Sequence, residues 1–356
     1  MSAARCARQA AAWAGPYAHA VQVASQADID AHSAGTRYAL AVGTHNLSLV
    51  PKSGDSIVGL GAATVLNGGA STAHGISDGG GTVTNVTIRN LEVNNYAPSF
   101  QKGSIDVSGS GSTGWTVVNV TAITSTGRGI SGDSGGMLAY GGRYSGHAGV
   151  AAGNVRLLYA CELDHSGTHG QEANEAGGTK WAVRNPTTVQ SCWVHDNIGV
   201  GVWSDINAFD ITVVDNDIWD SSDEGIQIEI SEGPITVQNN RLLRCGVTGG
   251  NSWHWGNGIG FYASGGDDSS HRGDCSGNTV TSCFNGVGVV QQTRADGSPG
   301  LCQHLNIHDN TIHDSGMTGA IADNGADLTT RDIIGWASNT LTGSSTIGNA
   351  HGLGFY

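Results

Sequence analysis

The chain has 356 residues, 56 of them glycine, and only 13% are charged, against roughly 25% in an ordinary globular domain. Helices need charged residues to solvate their outer faces, so this composition disfavours a helix-rich fold. The formal charge of −14 leaves no basic surface for nucleic acid, and no apolar run is long enough to span a membrane. Neutral polymers fit this charge balance better than strongly anionic ones.

The first 21 residues contain a short apolar stretch, Ala10–Ala14, preceded by Arg5 and Arg8. The stretch is too short for a convincing signal peptide, and we interpret it as a capping helix. Together with a first strand, it would form a cap over residues 1–40. An extracellular protein would then have to begin at its mature domain or leave its cell by another route, such as inside a virion.

An apolar unit recurs from residue 86 onward. Two apolar residues separated by one position are followed, five positions later, by another, and the last members step by 24 to 41 residues. Such steps indicate the coils of a solenoid. Six complete units begin at Val86, Trp115, Ile211, Ile235, Leu305 and Ile334, and three units lack the first apolar member and begin at Leu158, Val189 and Cys275. The nine units end at Val93, Ala122, Leu163, Val194, Ile218, Leu242, Val280, Ile312 and Leu341.

One position, two residues before the end of most units, is asparagine or cysteine. It is occupied by Cys161, Cys192, Asn216, Asn240, Asn278, Asn310 and Asn339. Asparagine amides at the same turn of every coil can hydrogen-bond along the solenoid axis, so we predict an asparagine ladder. The seven cysteines are an odd number without metal-binding spacing, and we expect most of them to be reduced packing residues. Cys161 and Cys192 are predicted to be the one pair close enough to oxidise.

A glycine followed by an apolar residue opens the next short strand in each coil, as in Gly201-Val202, Gly225-Ile226 and Gly258-Ile259. With this punctuation, residues 40–350 resemble the right-handed parallel β-helix superfamily of pectate-lyase-like enzymes, polysaccharide hydrolases and tailspikes. Segments such as Gly201–Asp205 and Trp255–Ile259 resemble motifs of bacterial repeat proteins presumed to act on carbohydrates. We therefore predict an all-β protein: one right-handed parallel β-helix over residues 41–356, with about ten coils.

The best candidates for catalysis are Asp205 and Glu229. Each lies four residues after the turn glycine of its coil, and their separation equals the local coil step of 24. We expect them to stack about 4.8 Å apart at Cα. Repulsion would raise one pKa and lower the other, as a general acid beside a nucleophile or base requires. The same column is predicted to continue through Tyr262 and Val290 to Asp323. A cation site or a solvated surface pair is the alternative.

Lys180 is one of only three lysines and lies on the coil before Asp205. In a lyase its ammonium would stabilise the enolate formed from a uronate. In a hydrolase it would bind substrate or lower the pKa of a carboxyl group. A structural ion pair is the third interpretation.

Aromatic residues cluster in the same segments, and sugar rings stack on such side chains. The residues predicted to bind substrate are Trp203, Trp253, His254, Trp255, Tyr262, Arg294 and His169. Trp181 belongs to the same segments. We expect a polar loop over this face to contain His165, His169, Glu172 and Glu175.

The sequence contains only weak indications of a metal site. The chemistry requires no cofactor and no metal ligands are assigned, although calcium could bind the oxygen-rich turns at residues 220–224 and 267–270.

Three functions remain open at this point. The first is a glycoside hydrolase that depolymerises a neutral polysaccharide through Asp205 and Glu229. The second is a polysaccharide lyase centred on Lys180. The third is a non-catalytic phage tail or tailspike protein that binds a surface glycan. Each implies an extracellular monomer or homotrimer, secreted or part of a virion.

Overall fold

The computed structural model describes residues 19–133, 136–168, 175–206, 208–248, 255–264, 273–293, 299–300, 302, 304–323, 334–343 and 346–347. The chain divides into two units, Met1–Ala176 and Gly177–Tyr356. Each unit consists of coils whose strands form three parallel sheets, which is the arrangement of a parallel β-helix. We number the sheets 1, 2 and 3 in the order in which a coil visits them. Among the described residues, no helix is long and apolar enough to cross a membrane.

The first unit begins with strand Val21–Gln22 and α-helix Gln26–Asp30. A 3-10 turn spans Gly61–Ala63. Its sheet 1 consists of Val21–Gln22, Arg37–Ala39, Ser56–Val58, Thr87–Arg89, Trp115–Val118, Met137–Tyr140 and Leu157–Tyr159. Its sheet 2 consists of Gly43–His45, Thr64–Asn67, Glu92–Tyr96, Thr121–Ser125, Arg143–His147 and Glu162–Asp164. Its sheet 3 consists of Ile76–Ser77, Gly103–Asp106, Arg128–Ser131 and Val150–Gly153.

The second unit repeats this order. Its sheet 1 consists of Thr187–Gln190, Phe209–Val214, Glu232–Gln238, Gly273–Ser276, Leu305–His308 and Ile334–Ala337. Its sheet 2 consists of Trp193–His195, Asp217–Trp219, Arg241–Leu243, Thr279–Thr281, Thr311–His313 and Thr340–Thr342. Its sheet 3 consists of Gly177–Trp181, Val200–Ser204, Ile226–Glu229, Asn257–Tyr262, Asn285–Thr293, Met317–Asp323 and Thr346–Ile347. A short strand, Pro299–Gly300, pairs antiparallel with Asn285–Thr293.

The predicted capping helix within residues 1–21 lies mostly outside the described residues. Within the proposed cap of residues 1–40, the structure describes a five-residue helix, Gln26–Asp30, rather than a longer one. Asp28 accepts hydrogen bonds from the backbone N–H groups of Ala24 and Ser25, both at 2.8 Å. These contacts lower the pKa of Asp28, the bond from Ala24 most of all, and they fix the start of the helix.

The recurring apolar positions are the core, as the sequence predicts. Every member from Val86 to Ile312 is buried. In sheet 2 of the second unit, one in-register column runs along the axis and contains Val194, Ile218, Leu242, Val280 and Ile312. Strand alternation points these residues inward and their neighbours outward, so one face of each short strand packs in the core.

The asparagine ladder is present in the second unit. Asn216 Nδ2 donates to Asn240 Oδ1 at 2.9 Å, and Asn240 Nδ2 donates to Asn278 Oδ1 at 3.0 Å. The ladder continues from Asn278 to Asn310 and on to Asn339, both at 2.9 Å. The backbone N–H of Cys192 donates to Asn216 Oδ1 at 2.9 Å, so this cysteine ends the ladder without contributing an amide.

A left-handed residue precedes each ladder position and turns the chain from sheet 1 to sheet 2. These residues are Ser191, Asp215, Asn239, Gly277, Asp309 and Ser338, with φ between 53° and 65°. Short polar side chains and glycine tolerate this conformation best. The residue types at these turns therefore favour the backbone conformation that brings each ladder residue into position.

The six described cysteines are free and buried. Cys245 and Cys283 occupy one position on adjacent coils, where the backbone N–H of Cys245 donates to Cys283 Sγ at 3.4 Å. The thiol of Cys283 and burial raise the pKa of Cys245 far above its usual value. This supports the prediction of reduced packing residues. It also brings together a cysteine pair that the sequence interpretation did not select.

We expect Leu242→Ala to lower the free energy of unfolding by about 2–5 kcal/mol, because the neighbouring coils can close the cavity only in part. Val247→Ala, at a side chain that is 53% exposed, is the matched control and should change stability by less than about 0.5 kcal/mol. Urea unfolding monitored by circular dichroism measures both. Equal effects of the two variants would contradict the assignment of the core.

Candidate functional site

The candidate site lies on the outward face of sheet 3 in the second unit. The strand register aligns Lys180 with Trp203, Trp203 with Gln227, and Gln227 with Gly260. Alternate positions, such as Val202 and Ile226, are buried in the core. The first column therefore projects away from the core, and its polar side chains form the site.

Lys180 and Asp205 form an ion pair. The Nζ atom of Lys180 lies 3.0 Å from Asp205 Oδ2, and both side chains are nearly buried, 6% and 11% exposed. The same Nζ atom lies 3.6 Å from the centre of the Trp203 ring. A carboxylate and an aromatic face thus compensate one buried ammonium, which water would otherwise have to solvate.

Backbone contacts hold Asp205 in place. Its N–H donates to the carbonyl oxygen of Trp181 at 2.7 Å, and its Oδ1 accepts from the N–H of Ile206 at 2.8 Å. One carboxylate oxygen therefore closes the turn while the other faces Lys180. Both oxygens have hydrogen-bonding or charged partners.

Glu229 has different partners. Its Oε2 atom accepts from Trp203 Nε1 at 3.1 Å and from Gln227 Nε2 at 2.8 Å. Ser204 is in register with Ile228, and Asp205 and Glu229 are the next residues along the chain. That these two carboxyl groups lie side by side stays a prediction of the coil arithmetic. Trp203 connects the two carboxylates, because its ring faces Lys180 and its N–H bonds Glu229.

The column predicted to run from Glu229 to Asp323 is wrong at its last member. Glu229 is in register with Tyr262, Tyr262 with Val290, and Val290 with Ile321. The error arises because Gly319 pairs with Gly288 rather than with Gly286. Counting four residues from each turn glycine therefore fails on this coil by two positions.

A second network adjoins the site at the other end of strand Ile226–Glu229. Glu224 is fully buried. Its Oε1 atom accepts from Tyr262 Oη at 2.5 Å and from the N–H of Gly256 at 2.9 Å. Asn257 Nδ2 donates to Tyr262 Oη at 2.6 Å, and Trp255 stacks on the Tyr262 ring with centroids 4.6 Å apart.

Burial raises the pKa of Glu224 well above its usual value, and the neighbouring carboxylate of Asp223 raises it further. Burial also raises the pKa of Tyr262, and the neighbouring Glu224 carboxyl group raises it further. Burial thus favours the neutral form of Glu224, which is the less costly state for a group removed from water. From the sequence, Glu224 was recognised only as part of the oxygen-rich turn at residues 220–224, and its burial was not predicted.

Glycines make room for this network. A Cβ atom on Gly260 would lie 2.4 Å from a ring carbon of Tyr262, and one on Gly288 would lie 2.5 Å from Asn257 Oδ1. Both glycines continue the outward column of Lys180, Trp203 and Gln227. The column thus changes from large side chains to a backbone surface on which the Tyr262 ring lies.

The other predicted site residues are distributed as follows. Trp203 and Tyr262 are buried, 7% and 0% exposed, and their rings contact protein groups. Trp181 is fully buried and aligns with Ser204 on the inward side. Trp253, His254, Arg294 and His169 lie outside the described residues, as do residues 267–270 of the second calcium turn.

The polar stretch before residue 176 belongs to the first unit, where Glu175 is buried rather than part of an exposed loop. Its Oε2 atom lies 2.8 Å from Arg128 Nη2, and Arg128 also contacts Asp133 at 3.2 Å. His165 is exposed and lies 2.6 Å from Asp164. Glu172 is outside the described residues.

No family model matches the sequence, and no curated protein matches it. Solved structures do match the fold. A mannuronan C-5 epimerase A-module, AlgE6 from Azotobacter vinelandii, is 14% identical at a TM-score of 0.52, over 96% of this chain and 99% of that one. A PL6 family polysaccharide lyase from Pseudopedobacter saltans is 10% identical at a TM-score of 0.54, over 92% of each chain. The catalytic unit of a GH87 α-1,3-glucanase from Streptomyces thermodiastaticus is 13% identical at a TM-score of 0.56, over 94% of this chain and 70% of that one. The chain therefore has the right-handed parallel β-helix fold that its repeat predicts.

The ion pair gives a stability prediction. We expect Lys180→Met to lower the free energy of unfolding by about 3–5 kcal/mol, because it leaves the buried Asp205 carboxylate without its cation. Adding Asp205→Asn to Lys180→Met should recover most of this loss. Urea titration of the wild type, both single variants and the double variant measures the coupling. Additive losses would show that the two charges do not interact.

Glu224 gives a prediction about pH. Its folded-state pKa is raised, so between the usual glutamic acid pKa and the folded value the unfolded chain has lost a proton that the folded chain keeps. Stability from this group is therefore greatest at low pH and is lost as pH rises, by up to about 1.4 kcal/mol per pH unit. Glu224→Gln keeps the acceptor for Tyr262 and removes the titration. We expect it to stabilise the protein at pH 8, with the gain disappearing towards pH 4.5.

The control for this measurement is Glu232→Gln, at an exposed carboxylate that pairs with Arg184 at 2.7 Å. Urea unfolding across this pH range should give a difference from wild type that changes with pH for Glu224→Gln alone. A constant loss of stability in Glu224→Gln would mean that Glu224 is ionised in the folded protein.

Proposed function

We propose that the protein is an extracellular carbohydrate-active enzyme, and that it hydrolyses a neutral polysaccharide with Asp205 and Glu229. One observation carries the proposal: Lys180, Trp203, Asp205 and Glu229 form one connected cluster on the outward face of a parallel sheet. Two carboxyl groups in unlike surroundings are the arrangement that glycoside hydrolysis requires.

We propose different roles for the two carboxyl groups. Asp205 faces the Lys180 ammonium at 3.0 Å, and we take it as the nucleophile or base. Glu229 receives neutral N–H donors on Oε2, and we take it as the general acid. Glu229 is also less buried than Asp205, so a glycosidic oxygen would approach the cluster from its side.

The spacing bears on the stereochemistry of the reaction. Adjacent strands are about 4.8 Å apart, and carboxyl groups about 5–5.5 Å apart are typical of retaining enzymes. We therefore expect retention, with a covalent glycosyl intermediate on Asp205. Glu229 would protonate the leaving oxygen and then remove a proton from the attacking water.

The comparisons support only one part of the proposal, that the substrate is a polysaccharide. The epimerase, the lyase and the glucanase are named for mannuronan, polysaccharide and α-1,3-glucan, and we take from them the polymeric glycan. The net charge of −14 favours a neutral polymer over a uronate, because a negative surface repels an anionic chain.

A lyase is the second candidate, since Lys180 lies where it could stabilise an enolate. Its ammonium already faces Asp205, so a substrate carboxylate would have to displace that residue. This requirement places elimination second to hydrolysis.

The decisive experiment is a polysaccharide panel with products resolved by mass. Hydrolysis adds the mass of water at each cleavage, whereas elimination produces an unsaturated end. On the glycan that is cleaved, we expect Asp205→Asn and Glu229→Gln each to lower kcat by several orders of magnitude, because an amide can neither attack nor deliver a proton. Glu232→Gln is the matched control and should retain wild-type turnover.

Lys180→Met separates the two reactions, provided that its folding is confirmed first. In a hydrolase it should mainly raise KM, and in a lyase it should abolish turnover. Wild-type turnover in both amide variants would remove the carboxylates from the mechanism. Binding without any product would leave a glycan-binding protein as the function.

A further inference from the structure

A surface on sheet 2 of the second unit groups aromatic side chains that the candidate site does not use. Trp193 is 36% exposed. Its ring stacks on His195 with centroids 3.8 Å apart and meets Trp219 edge-on at 5.7 Å. The guanidinium of Arg241 lies 5.5 Å from the centre of the Trp219 ring. We call Trp193, His195, Trp219 and Arg241 the sheet 2 aromatic surface.

The charges at this surface are paired with each other. Arg241 Nε lies 2.8 Å from Asp217 Oδ1, and His195 Nδ1 lies 2.7 Å from Asp196 Oδ2. An anionic ligand at Arg241 would meet the neighbouring Asp217 carboxylate, and it would approach a protein of charge −14. A neutral ligand can use the aromatic rings without disturbing either pair.

The same outward column continues as a row of hydroxyl groups. Trp193 is in register with Asp217 and Asp217 with Arg241, and the column then passes to Thr279, Thr311 and Thr340. All three threonines are exposed. Parallel strands place one hydroxyl about every 4.8 Å along the axis. An aromatic platform followed by regularly spaced hydroxyls complements a polymer that has apolar ring faces and hydroxyl edges.

We propose that the sheet 2 aromatic surface binds an extended neutral polysaccharide, with a sugar ring on Trp193 and the chain running along the threonine row. The proposal takes its ligand class from the proposed function, but it concerns a different sheet and different residues. Binding here would hold a polymer on the protein while the candidate site on sheet 3 acts on it.

The test measures binding and turnover separately. Particles of insoluble α-1,3-glucan, β-1,3-glucan and cellulose serve as neutral probes, and alginate beads serve as the anionic probe. We expect depletion from solution by at least one neutral glucan, weakened about tenfold in Trp193→Ala and in Trp219→Ala, because each removes an aromatic contact. Trp193→Phe should retain most of the binding, and Phe284→Ala, at an exposed aromatic residue outside this surface, should retain all of it.

Circular dichroism and thermal unfolding check that each variant is folded. Turnover of a short soluble oligosaccharide by Trp193→Ala should equal that of the wild type, since such a substrate occupies the sheet 3 site alone. Glucan binding that depends on Trp193, without turnover of any glycan, would overturn the proposed enzyme activity and support the binding surface. Turnover with unchanged binding in Trp193→Ala and Trp219→Ala would overturn the binding surface and support the enzyme activity.

Three further results would overturn the proposal. The first is the absence of binding to every neutral glucan. The second is binding to alginate as strong as binding to the glucans. The third is a change of oligomeric state in Trp193→Ala by light scattering, which would identify the surface as a contact between copies of this chain.

Discussion

The stacking of one coil on the next is the constraint from which the other features follow, and the asparagine ladder maintains it in the second unit. Asn240 illustrates how. Its Nδ2 atom donates to Asn278 Oδ1 and to the carbonyl oxygen of Val213, while its Oδ1 atom accepts from the backbone and side chain of Asn216. A strand that slipped by one residue would leave these buried groups unpaired and would also turn core side chains outward. Register is therefore fixed more strongly than by backbone hydrogen bonds alone.

That register made much of the structure predictable. The core column from Val194 to Ile312 and the ladder both follow from one rule, that equivalent positions on successive coils lie side by side. The proximity of Lys180 to Asp205 follows from the same rule, because their coils are adjacent and their positions nearly equivalent. Each of these inferences required only counting along the sequence.

Predictions failed where a contact depends on side-chain direction or on a local shift of the count. Trp181 and Trp203 occur in similar segments, yet Trp181 is in the core and Trp203 is on the outward face, because a single residue of strand parity reverses the side. The prediction for Asp323 is wrong because the column position on its coil comes two residues after the glycine, at Ile321, rather than four. The burial of Glu224 could not be predicted from the sequence. It depends on the Tyr262 ring, which bonds Glu224 and lies where a side chain on residue 260 would clash with it.

The aromatic residues on sheet 3 and sheet 2 of the second unit differ in their contacts and exposure. On sheet 3, Trp203 and Tyr262 are covered, and their polar atoms bond Glu229 and Glu224. Their rings orient acidic groups, which is a positioning role that a sugar-stacking platform would not need. On sheet 2, Trp193 contacts two other rings and is 36% exposed. Among the described residues, the aromatic side chains near the candidate acids thus position charged groups, whereas Trp193 on another sheet has exposed surface for stacking. In a solenoid whose faces share one axis, chemistry and polymer binding can be assigned to separate sheets, because each sheet presents its own outward column at the same coil spacing.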